Sequence, residues 1–118
     1  MSNILDKAKS IEEYIINFRR DLHENPELSG QEFRTQEKIM KELDKLGIPY
    51  IKAGNASLIA FVKGGKGGKT VALRGDFDAL PIKEETDVEF KSKTEGVMHA
   101  CGHDAHASML LGAAKILS

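Results

Sequence analysis

The last apolar stretch of this chain restricts its fold more than any other feature. Residues 104–117 read as a helix in which most side chains are apolar, with Asp104 as the predicted N-cap. Ser118 follows without a capping glycine or a proline, and a helix this apolar needs a covering sheet larger than one hairpin. We therefore expect an α/β fold, and we expect these 118 residues to be part of a larger unit.

Two amphipathic helices are predicted before residue 50. In the first, apolar residues recur at helical spacing, Ser10 and Glu13 could form a capping box, and the helix ends before residue 26. The second is expected to begin at Ser29, where Glu32 completes another Ser-x-x-Glu box, and to end at Gly47. The members of the first apolar stripe are Ile11, Tyr14, Ile15, Phe18 and Leu22.

A β-hairpin is predicted in the middle of the chain. Residues 56–63 and 69–74 are strand-like, and the glycine-rich residues 64–68 between them accommodate a turn. The same glycines could form a phosphate-binding loop, but no helix and no Gly-Lys-Ser/Thr ending follows them. Residues 50–52 are a candidate edge strand, and residues 82–96 are expected to form an irregular polar excursion.

Composition argues against several classes of protein. The chain is 41% hydrophobic with a formal net charge of −1, and its basic residues are scattered among acidic ones, so we do not expect nucleic-acid binding. No apolar run is long enough to span a bilayer, and the N-terminus does not read as a signal peptide. The lone cysteine fits a reducing compartment, so we expect a cytoplasmic protein.

Residues 98–106 form the strongest candidate metal-binding segment. They hold three of the four histidines and the only cysteine. Thiolate and imidazole ligands suit zinc or another first-row transition metal, and a following helix N-terminus would favour the Cys101 thiolate. Cys101 and His103 are therefore the predicted ligands, although Cys101 could also be a small buried residue. His99 and His106 are left open as direct ligands, outer-shell groups or exposed residues.

A second acidic cluster lies at residues 75–81, which read GDFDALP. Asp76 and Asp78 are two residues apart after a strand-like run, so both would point to the same side. Such carboxylates can bind a metal or hold a ligand histidine in one tautomer, and the alternative is a pair of solvated loop carboxylates. His23, at the end of the first helix, is not assigned to the site.

The chain resembles the metal-dependent amidohydrolases that include hippurate hydrolase, N-acyl-amino-acid amidohydrolases and the indole-acetyl-amino-acid hydrolases. Three motifs carry this resemblance in order along the whole chain. They are RRDLH with PELS at residues 19–23 and 26–29, LRGDFDALPI at 73–82, and MHACGHD at 98–104, continuing to His106 and LLGAA at 110–114.

The resemblance implies that residues 1–118 are the N-terminal part of a zinc-peptidase-like α/β catalytic domain, about its first third. It implies a two-metal site that takes zinc, manganese or cobalt, with Cys101 and His103 as ligands and Asp78 as the residue that orients a ligand. The glutamate pair that contains the general base, and two later histidine ligands, are expected outside this chain, as are the lid and dimerisation domain. The implied reaction is hydrolysis of N-acyl amino acids or peptide-like amides.

We expect the isolated chain to have little or no activity and to self-associate through exposed apolar surface. Two other functions stay open. One is a non-catalytic metal-binding or interaction module, and the other is a cysteine hydrolase with Cys101 as nucleophile. Metal binding without turnover by a naturally complete chain would favour the first, and inhibition by a chelator would exclude the second.

Overall fold

The computed structural model describes residues 3–118, which form four helices and one two-stranded sheet. In chain order these are α1 (Asn3–Ser10), α2 (Glu12–Glu24), α3 (Phe33–Leu46), β1 (Tyr50–Ala53), β2 (Ser57–Ala60) and α4 (His103–Leu117). The predicted order of N-terminal helices, hairpin and C-terminal helix is confirmed, although several boundaries differ.

The first predicted helix is divided at Ile11, whose backbone leaves helical geometry with φ −111° and ψ 14°. The capping box expected between Ser10 and Glu13 is wrong. The Ser10 hydroxyl instead donates backwards to the Lys7 carbonyl oxygen at 2.6 Å, so α2 begins without a side-chain cap. The apolar spacing nevertheless predicted the packed face correctly, because Phe18 of that stripe is buried.

The start of α3 also differs from the prediction, since the helix begins at residue 33 rather than at Ser29. Its first N–H groups have no acceptors within the helix. The carboxylate of Glu27 accepts hydrogen bonds from two of them. Glu27 Oε2 accepts the Arg34 N–H at 3.0 Å, and Oε1 accepts the Thr35 N–H at 2.7 Å. The end of α3 is confirmed at Gly47, where a left-handed backbone with φ 69° suits glycine.

The hairpin uses different strands from those predicted. β2 pairs with β1, from Tyr50↔Ala60 to Ala53↔Ser57, and not with residues 69–74. The short turn at residues 54–56 brings β1 and β2 together with less loop to close than the glycine-rich segment would need. Gln36 of α3 then holds the sheet by donating to the Ser57 carbonyl oxygen at 2.8 Å. Residues 61–78 form no strand in the described structure.

The hydrophobic core lies where α2, α3 and α4 meet. α4 packs on α2, and Gly112 permits this approach because a Cβ there would lie 2.7 Å from Ile15 Cδ1. α4 begins at residue 103 after Gly102, so Asp104 lies within its first turn and is not the N-cap. None of the helices in residues 3–118 is long and apolar enough to cross a membrane. The buried core residues are Phe18, Leu22, Ile39, Leu43, Ile48, Ala107 and Leu111.

A backbone bridge joins the two ends of the excursion between the sequence motifs. Leu80 and Met98 form an antiparallel bridge in which each N–H donates to the other's carbonyl oxygen, at 2.9 and 3.0 Å. Residues 81–97 therefore form a loop without helix or strand, as predicted for residues 82–96. This loop brings the acidic motif and the histidine-rich motif side by side.

Candidate metal centre

The acidic motif lies directly against the N-terminal half of α4. Gly75 favours this close approach, because a Cβ at that position would lie 3.1 Å from Leu110 Cδ2 and 3.2 Å from the His106 carbonyl oxygen. Ala79 anchors the other end by donating its N–H to the Glu27 carbonyl oxygen at 2.8 Å. Asp76 and Asp78, between these contacts, reach the histidines in the first turns of α4.

His103, the first residue of α4, is held between two carboxylates. Its Nδ1 lies 2.7 Å from Asp78 Oδ1, a hydrogen-bond distance, and its Nε2 lies 3.7 Å from Asp76 Oδ1. The bond to Asp78 favours a proton on Nδ1 and leaves the Nε2 lone pair free. This is the arrangement in which a carboxylate orients a metal-ligating histidine.

His106 completes a group of three donors. One ligand atom each from Asp76, His103 and His106 lies within 4.8 Å of the other two. His106 Nδ1 is 3.5 Å from Asp76 Oδ1, and His103 and His106 follow each other at the spacing that places side chains on one helix face. Ligands bound tetrahedrally at about 2.1 Å are separated by about 3.4 Å, so these donors fit a divalent cation of the zinc type with little movement.

The charges of this centre favour a proton or a cation. Burial alone would lower the pKa of His103, but the hydrogen bond to Asp78 and the charges of both aspartates outweigh it and raise that pKa. Burial would raise the pKa of Asp76, yet its hydrogen bonds, including one with His106, and the nearby charges of His103 and Arg74 lower it. A cation bound at His103 would displace a proton, so its affinity should rise with pH.

Cys101, the other predicted ligand, is an exposed free thiol in the turn before α4. It is not a member of the group formed by Asp76, His103 and His106. Its role as a ligand therefore stays a prediction, whereas the alternative of a small buried residue does not agree with its exposure. Reaching the same cation would require rotation of the Cys101 side chain or movement of the turn.

His99 is not a member of the three-donor group. Its side chain is buried, and neither ring nitrogen has a hydrogen-bond partner among the described residues. Burial is the largest influence on its pKa and lowers it. Its ring centroid is 6.4 Å from that of His23, so the two buried histidines are neighbours.

The sequence does not reveal a second set of charged residues next to the centre, which we call the buried polar cluster: the buried His23, Glu84 and Asp104, with the partly exposed Arg19. The sequence does not assign His23 to the site, yet this residue is only 4% exposed and its two ring nitrogens contact two carboxylates. The sequence predicts only an N-cap at Asp104 and an irregular loop around Glu84. Their pairing depends on contacts between residues more than sixty positions apart, which no local pattern reports.

Comparison with known proteins finds sequence similarity to a family of peptidases and to several hydrolases. Residues 72–118 match the family described as Peptidase family M20/M25/M40. The chain is 50% identical over 119 residues to thermostable carboxypeptidase 2 of Saccharolobus solfataricus, covering 99% of this chain and 30% of that protein. It is 49% identical over 119 residues to the N-acyl-L-amino acid amidohydrolase of Geobacillus stearothermophilus, covering 100% of this chain and 31% of that protein.

A solved structure agrees with these sequence matches. The YXEP protein of Bacillus subtilis, described as a dinuclear metal binding peptidase from the M20 family, superposes with a TM-score of 0.86 at 45% identity. The alignment covers 92% of this chain and 31% of that one, so the chain spans about a third of the length of such relatives. The resemblance inferred from the motifs is thus confirmed: over about a third of their length, this chain is related in sequence and fold to the M20 peptidases and amidohydrolases.

Proposed function

We propose that this chain forms part of a metal-dependent amidohydrolase whose whole form hydrolyses the amide bond of N-acyl amino acids or similar peptide-like substrates. The observation that carries the proposal is the orientation of His103, which donates from Nδ1 to Asp78 while Nε2 lies near Asp76 and His106. The names of the relatives, a carboxypeptidase and an N-acyl-L-amino acid amidohydrolase, support the substrate class.

In this proposal His103 and Cys101 hold the metal and Asp78 is the positioning residue of the catalytic site. Asp78 keeps a proton on His103 Nδ1 and prevents rotation of the ring, which leaves Nε2 available. Asp76 and His106 supply further donors on the same side. We propose zinc, manganese or cobalt as the cation, and two cations in the whole site, in line with the dinuclear YXEP protein.

A bound divalent cation would supply Lewis-acid polarisation of the amide carbonyl and activation of water near neutral pH. This chain's own residues orient that cation's ligand and place negative charge beside it. We propose that the general base and the remaining ligands lie outside residues 1–118, so that the isolated chain binds metal but does not turn over substrate. The lone cysteine supports a cytoplasmic location.

We also propose that the isolated chain self-associates. Large apolar side chains that are more than half exposed include Val71 at 79%, Leu73 at 61%, Leu117 at 57% and Met109 at 55%. Large apolar side chains exposed to this degree favour association in water. Sedimentation velocity tests the proposal, and a monomer at high protein concentration would contradict it.

Metal affinity tests the centre directly. Asp78→Ala should weaken zinc binding by about 10- to 100-fold, because His103 loses the group that orients it. Isothermal titration of the chain with zinc measures this change. Asp87→Ala, at an exposed aspartate of the excursion, is the matched control and should bind as the unmodified chain does. Unchanged affinity in both Asp78→Ala and His103→Ala would show that the centre is not at His103.

Hydrolysis then tests the reaction class. The chain is incubated with N-acetyl and N-benzoyl amino acids in the presence of zinc, manganese or cobalt, with Cys101→Ser as the control. We expect metal binding without turnover. Metal-dependent turnover lost in Cys101→Ser would show that the isolated chain is competent, and Cys101-dependent turnover that survives a chelator would favour a cysteine hydrolase instead.

A further inference from the structure

The buried polar cluster connects three separate elements next to the candidate metal centre. His23 belongs to the last turn of α2, Asp104 to the first turn of α4, and Glu84 to the loop of residues 81–97. All three side chains are nearly inaccessible to solvent, with Asp104 at 0% exposure and Glu84 at 6%. Buried charges are tolerated when they are paired and hydrogen-bonded, so these residues constrain one another.

His23 is the residue that joins the other two. Its Nδ1 lies 2.8 Å from Asp104 Oδ2, and its Nε2 lies 3.0 and 3.1 Å from the two oxygens of Glu84. Ionised carboxylates only accept hydrogen bonds, so a ring that serves both donates from both nitrogens. Arg19 adds a second donor to Asp104, with Nε at 2.8 Å from Oδ2.

The loop is organised around the Glu84 carboxylate. Glu84 Oε1 accepts the Ser92 N–H at 2.7 Å, and Oε2 accepts the Thr86 hydroxyl. Phe90 of the same loop lies edge-on to the His23 ring, with centroids 5.5 Å apart. The loop is therefore fastened to α2 through His23, while its two ends, at Leu80 and Met98, lead directly into the two halves of the metal centre.

Asp104 links His23 to the first turn of α4. It follows His103 directly, and its Oδ1 accepts the Ala105 N–H at 3.0 Å, which fixes the carboxylate to the first turn. Displacement of Asp104 would thus move the backbone that carries His103. The bond from His103 to Asp78 is only 2.7 Å long and would not survive a large shift of that turn.

We propose, on the basis of the function proposed above, that His23 is a positioning residue for the metal centre. By holding Glu84 and Asp104 against the end of α2, it fixes the position of the acidic motif relative to the first turn of α4. In that position Asp78 can orient His103. His23 is not itself a member of the donor group of Asp76, His103 and His106. Its loss leaves two buried carboxylates without their shared donor.

Cobalt(II) alone is the probe, because its ligand-field absorption reports both affinity and geometry. His23→Ala in the full chain should weaken cobalt binding by about 10-fold and change the spectrum at saturation, the size of effect expected for groups that support metal ligands. Gln36→Ala is the matched control. Gln36 is also buried and also loses a hydrogen bond, to the Ser57 carbonyl oxygen, but it lies on α3 away from the centre. It should lower stability without changing the cobalt affinity or the spectrum.

A conservative pair distinguishes positioning from general destabilisation. In His23→Gln the amide can donate to one carboxylate, but its oxygen then faces the other, so cobalt binding should weaken. Adding Glu84→Gln supplies an N–H group to that oxygen. The double variant should bind cobalt with an affinity within about threefold of that of the unmodified chain. This comparison decides the question even if His23→Ala does not fold.

The outcomes separate the two proposals. If His103→Ala binds cobalt as the unmodified chain does, the proposed metal centre is wrong whatever His23 does. If His103→Ala loses binding but His23→Ala and His23→Gln retain the native affinity and spectrum, only the positioning role of His23 is overturned. The same holds if the two single His23 variants are no weaker than Gln36→Ala.

Discussion

Replacement of the half-buried Glu27 by alanine should destabilise this protein far more than replacement of an exposed glutamate would. The Glu27 carboxylate accepts three hydrogen bonds: the Arg34 N–H at 3.0 Å, the Thr35 N–H at 2.7 Å and the Thr35 hydroxyl at 2.7 Å. Two of these satisfy the N–H groups that α3 cannot bond internally. Thr35 is fully buried, so water cannot replace the lost acceptor at its hydroxyl.

The magnitude follows from these contacts. Loss of a helix cap costs about 1 kcal/mol, and a buried hydroxyl without an acceptor costs about 1 to 3 kcal/mol. Because such terms are not additive, we expect the free energy of unfolding to fall by about 2 to 3 kcal/mol in Glu27→Ala. In a domain of this size the melting temperature would fall by roughly 10 °C or more. The backbone bond from Ala79 to the Glu27 carbonyl oxygen stays, so the effect reports the side chain.

Urea unfolding followed by circular dichroism at the helix band measures the change. Glu37→Ala is the control, because the Glu37 side chain is 64% exposed and its nearest ion-pair distance, to Lys41, is 3.7 Å. That variant should lie within about 0.5 kcal/mol of the unmodified chain. If Glu27→Ala and Glu37→Ala have the same unfolding free energy, the reasoning that Glu27 caps α3 is refuted.

Two further predictions concern packing and pH. Gly112→Ala gains about 1 kcal/mol of helix propensity, but its Cβ would lie 2.7 and 2.9 Å from Ile15 Cδ1 and Cγ1, so overpacking should leave a net loss of about 1 kcal/mol. Adding Ile15→Ala should remove the clash. If the two substitutions changed the free energy of unfolding in urea by strictly additive amounts, this contact would be contradicted. For Glu84, burial alone would raise the pKa, but hydrogen bonds from Thr86, His23 and the Ser92 N–H lower it from 4.5 to about 2. Its contribution to the free energy of unfolding is therefore present above pH 4.5 and lost as the pH falls towards 2, and it is about 3 kcal/mol. The difference in unfolding free energy between the unmodified chain and Glu84→Gln should shrink over that range, and a constant difference would disprove the assignment.

The candidate metal-binding segment could be located from the sequence because the residues that define it are close together in the chain. Histidines at positions 103 and 106 share a helix face by spacing alone, and Asp76 and Asp78 share a side because they are two residues apart. The bond from His103 to Asp78 agrees with the orienting role expected for Asp78. The inclusion of His106 in the three-donor group, by contrast, depended on how closely Gly75 allows the acidic motif to approach α4.

The sequence by itself determined the amphipathic helical segments before residue 50, the mostly apolar last helix, the end of α3 at Gly47 and the segments that hold the candidate metal ligands. These features depend on side chains within a few residues of one another, where periodicity and backbone preferences act directly. Only the tertiary structure decided that Glu27 caps α3, that β2 pairs with β1, and that His23 joins Glu84 to Asp104. Each of these contacts has competitors of similar local chemistry, and the choice among them is made by which groups become buried together when the helices pack.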